Sequence, residues 1–139
     1  MKRLAIFLVA ASAVACGGSS TSPSVVSPAA TVTTETFTGT VQIGGTNVHT
    51  FTIASPGALS VTMTAAGPPP TITMGLGVGN PSATGTCIFL SGGTTQAIAS
   101  ATTPQLTGTI AASGAYCVAI GDIGNAAGPI AYSITVSHT

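Results

Sequence analysis

From residue 36 onward the chain alternates, and that constrains its fold more than any other feature. In TFTGTV (36–41), Phe37 and Val41 fall on one side and Thr36, Thr38 and Thr40 on the other. HTFTI (49–53) sets His49, Phe51 and Ile53 against Thr50 and Thr52; LSVTMTA (59–65) sets Leu59, Val61 and Met63 against Ser60, Thr62 and Thr64. ITMGLGV (72–78), AYCVAI (115–120) and IAYSITV (130–136) repeat the device. Successive side chains leave a strand on opposite faces, so a period of two marks a strand with one face buried and one solvated. No segment of this region carries a helical period. Turn-forming residues fall between the runs: GGTN (44–47), SPG (55–57), GPPP (67–70), GNPS (79–82) and GNAAGP (124–129). About eight or nine short strands over residues 35–139 predict an all-β domain, an antiparallel β-sandwich.

An immunoglobulin domain is excluded. That family wants a tryptophan between its two cysteines and a tyrosine two residues before the second. This chain has no tryptophan, and Tyr116 directly precedes Cys117.

The first residues belong to a different problem. Met1-Lys2-Arg3 leads into an apolar run from Leu4 to Ala15 interrupted only by Ser12. The run is too short for a bilayer span of about 20 residues and reads as an export signal. AVAC (13–16) resembles the lipobox of bacterial lipoproteins, with Ala13 where leucine is commoner. The resemblance implies cleavage before Cys16 and a lipid on its sulfur, with simple secretion as the alternative. An anchor of two or three acyl chains holds durably, at about 0.8 kcal/mol per buried methylene. Residues 16–34, rich in Gly, Ser, Thr and Pro, then read as a tether reaching about 20–25 Å. Gly17 is not the aspartate that, in enteric lipoproteins, resembles an inner-membrane retention signal, so the outer membrane is favoured where there is one.

Charge narrows the partners. The chain has two Lys or Arg, and both, Lys2 and Arg3, lie in the export signal. The rest keeps only Glu35, Asp122, His49 and His138 besides tyrosines and cysteines. Phosphate binding by counterion release needs several basic side chains, so nucleic acid is excluded as a partner. The regular supply of Val, Ile, Leu and Phe argues against disorder over the domain.

In an oxidising compartment, Cys87 and Cys117 are expected to form a disulfide, which leaves Cys16 as the unpaired cysteine. Alternation supports this pairing. With Tyr116, Val118 and Ile120 inward, Cys117 faces out; with Ile88 and Leu90 inward, so does Cys87.

Catalysis is not expected. His49, Asp122 and a serine could form a triad only on paper, since no serine sits in a G-x-S-x-G elbow. His49 shares a face with Phe51 and Ile53, as at the rim of a core, and His138 sits where chains fray. Zinc needs three or four converging ligands. Calcium wants six to eight oxygens, and GDIGN (121–125), with Asp122 and Asn125, reads as a β-turn instead. No metal or other cofactor is expected.

GAYCVAIGDIGNAAGPIAYSITVSH (114–138), with HTFTIASPGALSVTMTA and TMGLGVG upstream, resembles the bacterial pre-peptidase C-terminal domain and its lipoprotein relatives. The resemblance covers most of 36–137. It implies a jelly-roll sandwich, accessory to a secreted hydrolase or alone on the cell surface. Calcium-binding members use acidic residues near the domain entrance; only Glu35 lies there, so that property does not carry over.

These readings make the chain a non-catalytic, lipid-anchored envelope or surface interaction module. It would meet the membrane through Cys16 and an envelope protein or a polysaccharide through its domain. A lectin-like module is the alternative, and Phe89, in phase with Cys87, is its one candidate contact. A second surface competes with it: the outward Thr50, Thr52, Ser60, Thr62, Thr64, Thr71, Thr73, Ser133 and Thr135 would make a weakly polar face suited to a protein or polymer.

Overall fold

A computed structural model of the chain describes residues 29–139. The expected export signal, Cys16 and most of the expected tether lie outside the described residues. The strands are β1 (Thr33–Val41), β2 (Thr46–Ile53), β3 (Gly57–Gly67), β4 (Thr73–Pro81), β5 (Cys87–Ile98), β6 (Leu106–Ile110), β7 (Gly114–Asp122) and β8 (Ile130–His138). They form two four-stranded sheets, ordered β1-β8-β3-β6 and β2-β7-β4-β5. Every pairing is antiparallel. Consecutive strands change sheet except at the β4–β5 hairpin, which is the topology of a jelly roll. The all-β sandwich expected from the alternation is the fold found.

The inward residues of both sheets meet in one core. Val61, Met63, Ile134 and Val136 come from the first sheet, and Met74, Val78, Val118 and Ile120 from the second. All eight are at most 3 % exposed. Burying an aliphatic side chain of this size contributes roughly 1.5–3 kcal/mol. The period of two is therefore energetic in origin, since a slip of one residue would put every one of these side chains in water.

The β4–β5 hairpin is closed by its own hydroxyls. Ser82 Oγ accepts from the backbone N–H of Thr86 at 3.1 Å, while Ser82 N–H donates to the Thr86 carbonyl at 2.8 Å. Gly85, at φ +79°, supplies the left-handed turn residue.

Two expectations are corrected. His138 does not fray: it is buried, at 3 % exposure, because β8 is clamped between β1 and β3 along its length. Ile88 does not face the core and is 62 % exposed. It pairs with Asn80, itself exposed, where the strand pair has run past the end of the core. Leu90 does pack partly against the core.

The Cys87–Cys117 disulfide is present, with Cα atoms 5.8 Å apart. It ties the edge strand β5 to β7 across the intervening β4. Cys117 sits between Thr50 and Gly79 on the outer face of its sheet and is fully covered. A Cβ at Gly79 would collide with the Ile88 carbonyl, so a glycine there lets β5 lie close to β4 beside the bridge.

Candidate functional site

The outward positions of β4 are Gly75, Gly77 and Gly79, opposite the inward Met74, Leu76 and Val78. Their neighbours across the β4–β7 pairing are Gly121, Ala119 and Cys117. Two adjacent strands therefore present almost no side chain on their outer face. The result is a groove of about 350 Å³ floored by Gly75, Gly77, Ala119 and Gly121.

Side chains from the flanks close over this floor. The Phe89 ring lies against Gly77, where an added Cβ would strike the ring. Ile123 Cγ2 would be 3.2 Å from a Cβ at Gly75, and Thr46 Oγ1 2.8 Å from one at Gly121. Phe89 and Ile123 are 49 % and 41 % exposed, so the walls of the groove are two half-open apolar surfaces. Thr46, Thr94 and Gln96 supply hydroxyls and an amide around them. A concave, mostly apolar site with a few polar groups is the usual form of a small-ligand site.

Asp122 lines this groove, and its carboxylate is engaged by backbone. Oδ2 accepts from Gly44 N–H at 2.8 Å, and Oδ1 from Gly124, Asn125 and Ala126 N–H at 2.9–3.1 Å. The Gly44 bond leads the causes that hold this carboxyl below its usual range. Asn125 Nδ2 donates to the Thr73 carbonyl at 3.1 Å and moors the turn to the start of β4. The expected GDIGN turn thus carries a structural duty: it fixes Ile123 over the glycine floor. Both carboxylate oxygens already meet donors, an arrangement suited to holding backbone rather than a cation.

The structure does not bring the paper triad together. His49 Nε2 lies 2.7 Å from Tyr132 Oη, and that hydroxyl oxygen accepts from Asn47 Nδ2 at 3.1 Å. The Phe37 ring stacks on His49 with centroids 4.9 Å apart. Burial pushes the His49 imidazole below its ordinary value, and a neutral ring can accept the Tyr132 hydroxyl proton. Glu35 Oε1, at the domain entrance, lies 3.2 Å from His138 Nε2. Among the described residues no three His, Cys, Asp or Glu side chains converge as a metal site.

The other sheet presents a different surface. Across its strands the register aligns Thr34, Ser137, Ser60 and Thr107 in one row and Thr36, Thr135 and Thr62 in the next. Thr38 and Ser133 continue the pattern. Thr34 Oγ1 and Ser137 Oγ are 3.0 Å apart, so part of this hydroxyl face bonds to itself.

Phe89, singled out from phase alone, therefore belongs to a groove; Thr50, Thr52, Thr62, Thr64, Thr71, Thr73 and Thr135, expected on an outward face, do not line it. Missed in the sequence were Ile123, Thr46, Gln96 and the floor itself. The signal for the floor was the alternate glycines of TMGLGVG, whose meaning depends on which strand lies beside them. No protein-family model matches this chain, and no curated protein matches it.

Proposed function

We propose that this chain is a non-catalytic, lipid-anchored interaction module of the bacterial cell envelope, and that its groove takes a neutral carbohydrate. The observation that carries the reading is the half-exposed Phe89 ring lying beside a floor of glycines and one alanine. A pyranose presents a face of C–H groups that packs on an aromatic ring, and its edge hydroxyls suit threonine and amide partners. The glycine floor lets a flat ring approach the backbone closely. Jelly rolls commonly serve as lectin domains. Among the described residues no cationic side chain lines the groove and the Asp122 carboxylate does, which favours a neutral sugar over a uronic or sialic acid.

The anchor at Cys16 supports an envelope setting and rests on the lipobox resemblance. Labelling with a fatty acid should mark the wild-type chain and not Cys16→Ser, which should also leave the membrane fraction. The binding test is retention of the disulfide-bonded chain on a panel of neutral and acidic polysaccharides. Retention on a neutral polymer, lost in Phe89→Ala, supports the reading; retention on acidic polymers alone, or none at all, overturns it.

The hydroxyl face of the first sheet favours a second reading, a protein or polymer partner docked flat on that sheet. Its rows are uncharged and span several strands. Binding that survives Phe89→Ala and falls with Thr36→Lys would move the function there.

A further inference from the structure

We infer that the groove holds two successive units of a linear neutral glycan, one against Phe89 and the next against Ile123, so that its smallest complete ligand is a disaccharide. This rests on the carbohydrate reading of the groove and adds to it the number and order of the units bound.

The strand register divides the floor into two rows built on one plan. In the first, Thr46, Gly121, Gly75 and Gln96 stand side by side across β2, β7, β4 and β5. In the second, Val48, Ala119, Gly77 and Thr94 do the same. The two middle positions of each row carry at most a methyl group. The β5 position of each carries a polar side chain, the Gln96 amide or the Thr94 hydroxyl, and both line the groove. Each row also has its own apolar cover. Ile123 Cγ2 lies over Gly75, 3.2 Å from where a Cβ would stand, and the Phe89 ring lies over Gly77. The covers come from different elements, the turn after β7 and β5, yet they fall on consecutive outward positions of β4.

The floor ends after these two rows. On one side the next row holds Gly79 and Cys117, and the disulfide leaves Cys117 with no exposed surface. On the other side Thr73 stands opposite Ile98, and their side chains raise the surface. Outward positions two apart on a strand are about 7 Å from each other. A pyranose stacked face-on on Phe89 is matched by that ring alone, and Ile123 is left to the unit joined to it. A site that repeats its plan suits a ligand that repeats its unit. The second unit binds without a second loss of translational freedom, so its contacts count almost in full towards affinity.

The experiment is calorimetric titration of the full, disulfide-bonded chain with gluco-, manno- and xylo-oligosaccharides of increasing length, starting from the monosaccharides. Within a series that binds, Kd should fall about tenfold or more from one unit to two, and far less for each unit beyond. Phe89→Ala should abolish binding of both. Ile123→Ala changes a half-exposed turn residue and should keep a melting temperature close to wild type. It should erase the difference between one unit and two. Equal Kd for one unit and two, with both lost in Phe89→Ala, overturns the two-unit inference and leaves the carbohydrate reading standing. So does a gain from the second unit that survives Ile123→Ala. Binding of no sugar in any series overturns the inference together with that reading.

Discussion

Single residues decide how the turns of this molecule are held. Asp122 gathers four backbone N–H groups from two turns, and its carboxyl lies below the ordinary value of 3.8. The folded chain thus binds fewer protons than the unfolded chain just below that value. The carboxylate's contribution is present above pH 3.8 and is lost as pH falls through the depressed native value. Melting temperature should therefore drop on acidification below about pH 4, and Asp122→Asn should lower it at neutral pH and flatten the acid response. Tyr132→Phe is expected to cost about 1–2 kcal/mol in denaturant unfolding, because it leaves His49 Nε2 without its partner and Asn47 Nδ2 with the Thr40 carbonyl alone. Asp122 was legible in the sequence as a turn residue but not as a clamp. Its partner Gly44 lies in another turn, and only the fold brings the two together.

At the scale of strands, alternation was enough wherever one face is solvated and the other buried. It failed at β5, where the bulge at 90–93 breaks the period and Ile88 lies beyond the core. The groove was not legible for a related reason. Gly75 and Gly77 acquire their role from lying beside Ala119 and Gly121, a neighbour relation set by strand order rather than by spacing. The β4 glycines also differ among themselves. The three atoms nearest an added Cβ at Gly77 all belong to the Phe89 ring, which can swing aside, so Gly77→Ala should disturb ligand binding more than stability. Gly79→Ala meets the Ile88 carbonyl and the Phe89 Cα, both backbone, and should cost about 1–3 kcal/mol. The disulfide closes a separation of 30 residues, for which chain entropy gives roughly 3.5 kcal/mol. Replacing both cysteines by alanine should lower unfolding stability by about 2–4 kcal/mol in a denaturant titration.

The whole molecule has two outer faces of different character on one core. One sheet carries rows of hydroxyls, the other a glycine-floored groove between Phe89 and Ile123. With so few charged side chains in the domain, recognition on either face rests on shape, apolar contact and neutral hydrogen bonds. The most direct test maps which face is used. Backbone amide spectra of the disulfide-bonded chain would be recorded during titration with neutral gluco-, manno- and xylo-oligosaccharides. If the groove is the site, shifts should cluster at Gly75, Gly77, Phe89, Gln96, Gly121 and Ile123 and vanish in Phe89→Ala. Shifts gathered instead at Thr36, Thr62 and Thr135, or none with any of the sugars, would contradict a carbohydrate site in the groove.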